Sequence, residues 1–350
     1  MEAVTRSTQK LAIAHNSSAW PLPADLTIKV FSLLDTESLC FAAATCLHFG
    51  KCASDPLCYV NIDLTRSPDK VTYPVVSTMI QRAGNNLQSI KLGSLSKDEN
   101  KVIKSPVTAS CLYPLQLDGG ASGLLLRKLH LYNLKMRRYN PCSALSACKS
   151  LSELEIVGIK FWLTRIWGTI CEHCHLIERL CLDVAVARIL RTFQVKDLLK
   201  GCPLLSSLTL RGFEIRDKLL SVLFKRAHGL KSLDLSYSFG FAGSFLRNLG
   251  NDDSANPLET LILRNCCHLS AAGVSLFLSA VCYGHCKSLR CMDISSKMGL
   301  LIFESSGPHT RCAIEVSQVL RERPGIYSFT EIVLLGVEMV CIGINNKEMQ

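Results

Sequence analysis

Two short stretches combine cysteine and histidine at spacings that resemble those of metal ligands. They are Cys171-Glu-His173-Cys174-His175 and the group of Cys282, His285 and Cys286. A structural zinc ion takes four such ligands, usually as two short pairs that are separated by a dozen or more residues. Neither stretch is followed by a second pair at that interval. The sequence therefore does not single out a metal site.

Other chemical motifs are missing as well. The chain has no phosphate-binding glycine loop, no Gly-x-Ser-x-Gly elbow and no dinucleotide fingerprint. Its 18 cysteines and 9 histidines offer many Cys–His nucleophile pairs, but no feature of the sequence selects one. We therefore expect no catalytic residue, no metal and no cofactor. A metal- or thiol-dependent enzyme is the least favoured interpretation.

What the sequence does contain is a repeated Leu-x-x-Leu-x-Leu pattern. Its clearest copy begins at Leu258 and leads, through Asn265 and Cys266, into an apolar run with helical period. Copies begin at residues 87, 126, 151, 177, 205, 230, 258 and 289, and from 126 onward the steps are 25 to 31 residues. A leucine-rich repeat has a period of roughly 20–29 residues. Degenerate copies at 57–62 and 329–334 are expected to open and close the array.

One strand and one helix cannot bury their apolar faces alone, so each repeat must stack on its neighbours. The pattern resembles the cysteine-containing leucine-rich repeat family over about residues 57–340. We expect an α/β solenoid, a horseshoe with a parallel sheet on its concave side and helices outside. The central leucines should then form one buried row: Leu129, Leu154, Leu180, Leu208, Leu233 and Leu261.

The register of the repeats also accounts for several cysteines. Three residues before the first leucine position of a repeat, a small apolar side chain can be buried at a helix end, and free cysteine suits that position. The cysteines in this position are Cys148, Cys174, Cys202 and Cys286.

The residues between the ladder leucines point to the concave face, because side chains alternate along a strand. They carry both signs of charge and are the candidate substrate-binding residues, although a plain solvated face is the alternative for any one of them. The main candidates are Lys128, His130, Tyr132, Glu153, Glu155, Arg179, Asp183, Arg211, Asp234 and Arg264, and Lys91, Thr209, Asp293 and Glu331 have the same position.

Residues 20–62 do not follow the repeat. Helical periodicity and the Pro-rich start predict three short helices, which are too few to be stable without a docking partner. Leu22-Pro23-x-x-Leu26, Val30-Phe31-x-x-Leu34, Ser38-Leu39 and 53–57 together resemble the F-box motif. Phe49 and Cys58-Tyr59 stand where that family often has tryptophan. A helical cap on the first repeat is the alternative interpretation.

The resemblance implies that the box binds a Skp1-type adaptor and, through it, a cullin-RING ubiquitin ligase, while the repeats hold a protein substrate. The residues implied to face the adaptor are Leu22, Pro23, Leu26, Val30, Phe31, Leu34 and Leu39. A repeat scaffold without a ligase role is the second hypothesis, and the two differ in whether the adaptor binds.

The remaining segments are two long insertions and the amino terminus. The sequence predicts insertions near 93–123 and 297–326 within a solenoid over 63–350, because turn residues cluster there. The first is expected to be mobile, either reaching toward a substrate or simply solvated. Residues 1–19 predict a flexible tail, with a transit peptide as the weaker alternative.

Charge and cysteine content restrict the partners and the compartment. The net charge of +10 suits acidic partners, whereas a nucleic acid is disfavoured because no dense Lys/Arg cluster with interleaved aromatics occurs. No stretch has the roughly 18–20 apolar residues of a membrane helix, so no membrane partner is expected. The many thiols and the missing secretion signal favour a reducing compartment, the cytoplasm or the nucleus.

Overall fold

The structure is a computed structural model that describes residues 20–95, 106–136, 138–251, 257–270, 272–274, 277, 281, 286, 288–294, 332–334 and 337–339. The predicted tail at 1–19 and the predicted insertion at 297–326 lie outside the described residues.

A nine-stranded, all-parallel sheet runs through most of the described chain, with its strands in sequence order. Each strand is separated from the next by a helix or a loop, and each pairs only with the strands before and after it, which is the connectivity of a solenoid. The strands are β1 (Asn61–Asp63), β2 (Ser89–Gly93), β3 (Lys128–Tyr132), β4 (Glu153–Ile159), β5 (Arg179–Ile189), β6 (Ser207–Glu214), β7 (Ser232–Asp234), β8 (Thr260–Ile262) and β9 (Cys291–Asp293).

The predicted leucine row is confirmed. Leu129 pairs with Leu154, which pairs with Leu180, and the same register continues through Leu208 and Leu233. Leu261 extends the row, and all six side chains are buried. The array is a leucine-rich-repeat solenoid, as the spacing predicted.

The predictions for the first and the last copy of the repeat had different outcomes. The expected opening copy is confirmed, because Ile62 is buried and pairs with Ile90 of β2. The expected closing copy is wrong. Ile332–Leu334 (β10) pairs antiparallel with Val337–Met339 (β11) and belongs to a separate two-stranded sheet.

Helices form the second layer of the solenoid, and from α6 to α10 each packs on the next. Their apolar faces meet the leucine side of the sheet, so the opposite sheet face is left open. A Cβ at Gly201 would clash with the carbonyl oxygen of Cys171, so glycine is needed where α8 approaches α7. The helices are α1 (Ala24–Phe31), α2 (Thr36–Thr45), α3 (Leu47–Cys52), α4 (Tyr73–Ala83), α5 (Ala121–Leu124), α6 (Cys142–Ala147), α7 (Leu163–His173), α8 (Thr192–Gly201), α9 (Asp217–Arg226) and α10 (Ser244–Asn251). Short 3-10 helices occupy Pro56–Tyr59, Pro68–Lys70, Gly84–Asn86, Ala109–Gln116 and Asp118–Gly120.

Three aromatic rings link the amino-terminal helices α1 and α3. The Phe49 ring meets Trp20 and Phe31 edge-on, with centroid distances of 4.8 and 5.1 Å. The indole N–H of Trp20 donates to Thr27 Oγ1 at 2.8 Å, so the start of the box is tied to α1. Such edge-to-face pairs add about 0.5–1.5 kcal/mol each beyond their buried area.

The first predicted insertion is only partly a loop. Residues 109–116 form a 3-10 helix that packs against α4 and α6, with Leu112 and Leu115 fully buried. Thr108 also bridges to Lys135, beyond β3. The expectation of a mobile segment is therefore wrong for these residues, because they fill the helix position of their repeat. Residues 96–105 lie outside the described part of the chain.

The buried row makes a stability prediction. Leu154→Ala should lower the free energy of unfolding by about 2–5 kcal/mol, because the cavity is enclosed by repeats on both sides. The exposed Leu204 is the control, and Leu204→Ala should change stability by less than about 0.5 kcal/mol. Urea unfolding followed by circular dichroism measures both. Equal effects of the two substitutions would contradict the buried row.

Candidate functional site

The first candidate surface is the outer side of the box. On α1, Leu26 and Val30 lie one turn apart and are exposed, whereas Thr27 and Phe31 are buried. Leu22 and Leu34 are half-buried, and Pro23 is exposed. This part of the predicted adaptor-facing set is available to a partner.

Two residues of the predicted set are not available. Phe31 packs on Phe49 and Leu39 is fully buried, so both belong to the core of the box. Their assignment to the adaptor surface is corrected here. The motif places them beside exposed leucines, but a helix buries one side, and Phe31 lies on the buried side of α1.

The structure adds exposed apolar residues that the sequence reasoning missed. Leu33 and Leu47 are 86% and 88% exposed, and Phe41 and Leu57 are also exposed. Leu47 lines an open groove of about 630 Å³ between α2 and α3, together with Ala43, Ala44, Cys46, Gly50, Lys51 and Ser54. Their position at helix ends could have indicated this exposure, because Leu33 lies two residues beyond α1 and Leu47 begins α3, so neither belongs to an inward helical face.

The box is mounted on the first repeat by polar contacts. The backbone N–H of Asp63 in β1 donates to Thr36 Oγ1 at 2.9 Å. Arg66 pairs with Asp35 at 2.8 Å, although that pair is exposed and contributes little by itself. Arg82 of α4 donates to the Tyr59 hydroxyl at 2.8 Å and lies over the Tyr59 ring.

The second candidate surface is the open face of the sheet, and the predicted alternation is observed there. The first strand position carries Lys128, Glu153 and Arg179 in register, and the third carries His130 and Glu155 in register. Tyr132 and Asp183 follow at the fifth position of β3 and β5. In the strand register, Arg211 lies opposite Asp183, Asp234 opposite Thr209, and Asp293 opposite Ile262. Arg264 lies just beyond β8. Glu331 lies outside the described residues.

Two residues of the same face were overlooked. Cys181 lies between Glu155 and Thr209 in the third position, and Ile262 lies beyond Asp234. The alternation rule places both, but neither is a polar residue of the kind that was sought. Burial, together with the neighbouring Glu155, raises the pKa of Cys181 to about 12, so this thiol is protonated and unreactive.

Glu153 is the centre of the largest charge cluster on this face. Arg179 Nη2 donates to its Oε2 at 2.6 Å, and Lys128 Nζ lies 3.6 Å from the same oxygen. Burial opposes ionisation of Glu153. Even so, the hydrogen bond and charge of Arg179, with His130 and Lys128, hold its pKa below the usual value.

His130 is buried between two carboxylates. Its Nε2 lies 3.2 Å from Glu153 Oε1 but has no hydrogen-bond partner in the described residues. Its Nδ1 lies 3.4 Å from the Tyr132 hydroxyl and 3.7 Å from Glu155 Oε2. The Tyr132 hydroxyl donates to Glu155 Oε2 at 2.9 Å. Burial, and then Glu155, raises the pKa of Tyr132.

Two arginine–aspartate ion pairs with matching geometry lie farther along the sheet. Arg211 donates through Nε and Nη2 to Asp234 Oδ2, at 3.0 and 2.6 Å. Arg264 donates in the same way to Asp293 Oδ2, at 3.1 and 2.7 Å. Asp234 Oδ1 also accepts from the backbone and the hydroxyl of Ser236, so this buried carboxylate is well satisfied.

Asp183 lies on β5, next to Arg211 on β6. Burial raises the pKa of Asp183, while the charge of Arg211 and the backbone N–H of Gly158 act in the opposite direction. None of these clusters pairs a nucleophile with a base. The face can therefore bind through charge and hydrogen bonds, but it shows no arrangement for catalysis among the residues described.

Comparison with known proteins places the chain in a family. A family model described as F-box-like matches residues 20–65. The F-box protein At4g02760 of Arabidopsis thaliana is 42% identical over 86% of this chain and 59% of its own length. The F-box protein SKIP17 of the same plant is 41% identical, over 89% of this chain and 66% of its own length. A third Arabidopsis thaliana relative, F-box protein At4g02733, is 37% identical over 52% of this chain and 69% of its own length.

The chain belongs to the F-box protein family. It spans less than two thirds of the length of the first two relatives. Among solved structures, the leucine-rich repeat-containing protein LegL7 from Legionella pneumophila is similar at a TM-score of 0.36 and 14% identity, over 77% of this chain and 92% of that one. The fold is assigned from the strand register rather than from this likeness.

Four cysteines of this F-box protein lie at the positions that the repeat register predicted. Cys148, Cys174 and Cys202 are buried at the ends of α6, α7 and α8, as the register predicted. Their thiols point to the carbonyl oxygens of Ala144, Leu145 and Cys174, at 3.1, 3.7 and 3.6 Å. The fourth predicted cysteine, Cys286, is partly buried and points to the Leu249 carbonyl oxygen at 3.1 Å.

The possible metal ligands are used in other ways. Cys174 faces the Leu145 carbonyl, and His175 Nδ1 donates to the Gly201 carbonyl oxygen at 2.7 Å. Within the described ranges, no group of three or more His, Cys, Asp or Glu side chains is arranged to hold a metal ion. Cys282 and His285 fall outside those ranges. No described helix is both long and apolar enough to cross a membrane.

The Glu153 cluster makes a pH prediction. The pKa of Glu153 is lower in the folded than in the unfolded chain, so its contribution to stability is complete above about pH 4.5 and is lost as the pH falls through the folded-state value. Glu153→Gln should cost roughly 1 kcal/mol at neutral pH, and that cost should shrink below pH 4.5. Urea unfolding at several pH values measures the difference. In an Arg179→Gln background the pH dependence should be weaker, and equal dependence would contradict the assignment.

The buried thiols make a labelling prediction. Burial raises the pKa of both Cys174 and Cys202 to about 12 and also raises that of Cys148, so these thiols are protonated and enclosed. Iodoacetamide should label the exposed Cys46 and Cys267 in the folded protein, and the three buried cysteines only after unfolding in urea. Peptide mapping by mass spectrometry reads out each site. Labelling of Cys174 as fast as Cys46 would contradict the packing.

Proposed function

We propose that this F-box protein is the substrate-recognition subunit of an SCF (Skp1-cullin-F-box) ubiquitin ligase. The box docks a Skp1-type adaptor, and through it a cullin-RING ligase. The open face of the repeats holds a protein substrate. The chain itself is not catalytic in this proposal, and it acts where thiols remain reduced, in the cytoplasm or the nucleus.

The observation that carries the proposal is the division of the box into a buried core and exposed apolar residues. Phe31 and Leu39 are buried and Phe49 packs on Phe31, yet Leu33 and Leu47 remain almost fully exposed. Burying one leucine contributes about 1.5–3 kcal/mol. A capping domain that only shields the first repeat gains nothing from exposing two of them, whereas a docking domain does.

The mechanism is control of local concentration rather than bond chemistry. A substrate that is held on the repeats stays within reach of the ubiquitin-loaded enzyme that the adaptor brings. Tethering two reactants converts an encounter in solution into one at millimolar or higher effective concentration. The mount formed by Thr36, Tyr59 and Arg82 keeps the box and the repeats in one geometry, which such positioning requires.

Co-purification with a Skp1-type adaptor tests the proposal. Leu33→Asp combined with Leu47→Asp should reduce adaptor affinity by about 100-fold or more, because two apolar contacts are lost and two charges are placed in the interface. Phe31→Asp is unsuitable for this test, since it buries a charge in the core of the box.

The matched control places two aspartates at exposed apolar positions of the repeats. Phe193→Asp combined with Leu204→Asp should leave adaptor recovery unchanged. Circular dichroism confirms that all variants are folded. If wild type and the Leu33/Leu47 variant recover equal amounts of adaptor, or if wild type recovers none, the ligase proposal fails and the scaffold hypothesis remains.

A further inference from the structure

The ion pairs of Glu153, Asp234 and Asp293 on the open face of the sheet are layered, with the cation more exposed than the carboxylate, whereas Lys91 and Asp63 are about equally exposed, at 40% and 43%. The side chain of Arg179 is 55% exposed above Glu153, which is 21% exposed, and Lys128 is also more exposed than Glu153. Arg211 is 41% exposed above Asp234 at 6%, and Arg264 is 46% exposed above Asp293 at 9%. The carboxylates therefore lie beneath, and a molecule approaching this face meets the cations first.

The four cations form a row across the sheet, which we call the cationic stripe: Lys128, Arg179, Arg211 and Arg264. Lys128 and Arg179 begin β3 and β5, Arg211 is the fifth residue of β6, and Arg264 follows β8. The stripe thus crosses the strands obliquely. Five strand spacings of about 4.8 Å, combined with four residues of about 3.3 Å along the strands, give a length of roughly 27 Å, which an extended peptide covers with about eight residues.

The acidic residues between the cations are already engaged. Glu155 accepts a hydrogen bond from the Tyr132 hydroxyl and lies beside His130. Asp183 is partly buried and faces Arg211 across the strand pair. A guanidinium has five N–H donors, and Asp234 engages only Nε and Nη2 of Arg211, so Arg211 retains donors for a ligand.

We propose that the cationic stripe binds an extended, Asp/Glu-rich segment of a protein substrate. The proposal rests on the ligase function proposed above and specifies the substrate class for the same face. Its basis is charge complementarity, because the exposed layer is cationic and the whole chain carries a net charge of +10.

The spacing of the cations favours carboxylates over other anions. A phosphate group carries nearly two charges and is best held by several cations that converge on it. In the stripe, the point where Lys128 and Arg179 converge is already filled by Glu153 Oε2, at 3.6 and 2.6 Å, and Arg211 and Arg264 are each bonded to an aspartate of their own. Single charges at separate points suit single carboxylates that are distributed along a strand. A nucleic acid would also need stacking aromatics among the cations, and none of Lys128, Arg179 and Arg211 lies over an aromatic ring in the described residues.

Fluorescence anisotropy with the full chain tests the proposal. The probe is a labelled peptide of about 12 residues that alternates Glu and Thr, so that all carboxylates lie on one side when it is extended. It should bind at about 50 mM NaCl and weaken at about 200 mM. Lys128→Gln combined with Arg179→Gln should weaken binding about tenfold, and Lys128→Gln alone, which leaves the short Arg179–Glu153 pair intact, about threefold.

The control removes two charges from the helical side. Lys196 on α8 and Lys218 on α9 are exposed, so Lys196→Gln combined with Lys218→Gln changes the net charge equally but not the stripe. This variant should bind the probe as wild type does, to within about twofold. Equal weakening by both double variants, or no binding of the probe to wild type, would overturn the proposal.

Two further probes separate the competing ligands. A Gln–Thr peptide with one phosphothreonine and a 12-nucleotide oligothymidine should each bind more weakly than the Glu–Thr peptide. Tighter binding of either one overturns the proposal in favour of that ligand class. Adaptor co-purification with each stripe variant shows which claim fails. Retained adaptor with no peptide binding rejects only the stripe, whereas peptide binding without adaptor rejects only the ligase function.

Discussion

Stacking of one apolar row on the next is the constraint on which the rest of this structure depends. Each repeat contributes one central leucine, from Leu129 to Leu261, and none of these side chains could be buried within its own repeat. Fixing that row fixes the strand register. The register in turn fixes which residues face away from the core, because side chains alternate. The charged face is therefore a geometric consequence of the leucine row.

This dependence explains why the array could be predicted from the sequence. The repeat spacing gave the order of the strands, the buried row and most of the open face, since one period determines all of them. The same logic placed Cys148, Cys174 and Cys202 at buried helix ends. The prediction from the period was wrong for the closing repeat, because residues 332–334 have the right spacing but pair antiparallel. A spacing rule cannot tell which neighbour a short strand will find.

The box and the first insertion were harder to predict, because their packing depends on partners distant in the sequence. Phe31 and Val30 are adjacent, but only Phe31 meets Phe49, and that contact decides which of the two is exposed. Residues 109–116 have the proline and serine of a loop, yet they fill the gap between α4 and α6. The different exposure of cations and carboxylates on the open face could not be predicted from alternation either. Both kinds of residue occupy alternating positions, and the longer arginine side chain extends farther from the sheet than the aspartate.

A short connection and two hydrogen bonds fix the position of the box relative to the array. Only Val60 separates the 3-10 helix at Pro56–Tyr59 from β1, so the last turn of the box passes into the first strand without a linker. Thr36 accepts the N–H of Asp63, and Arg82 binds Tyr59, so both sides of this junction are tied. A flexible linker would spread a bound substrate over many distances and lower its effective concentration at any one point. A short, hydrogen-bonded junction limits that spread, which is the property that the proposed ligase function requires.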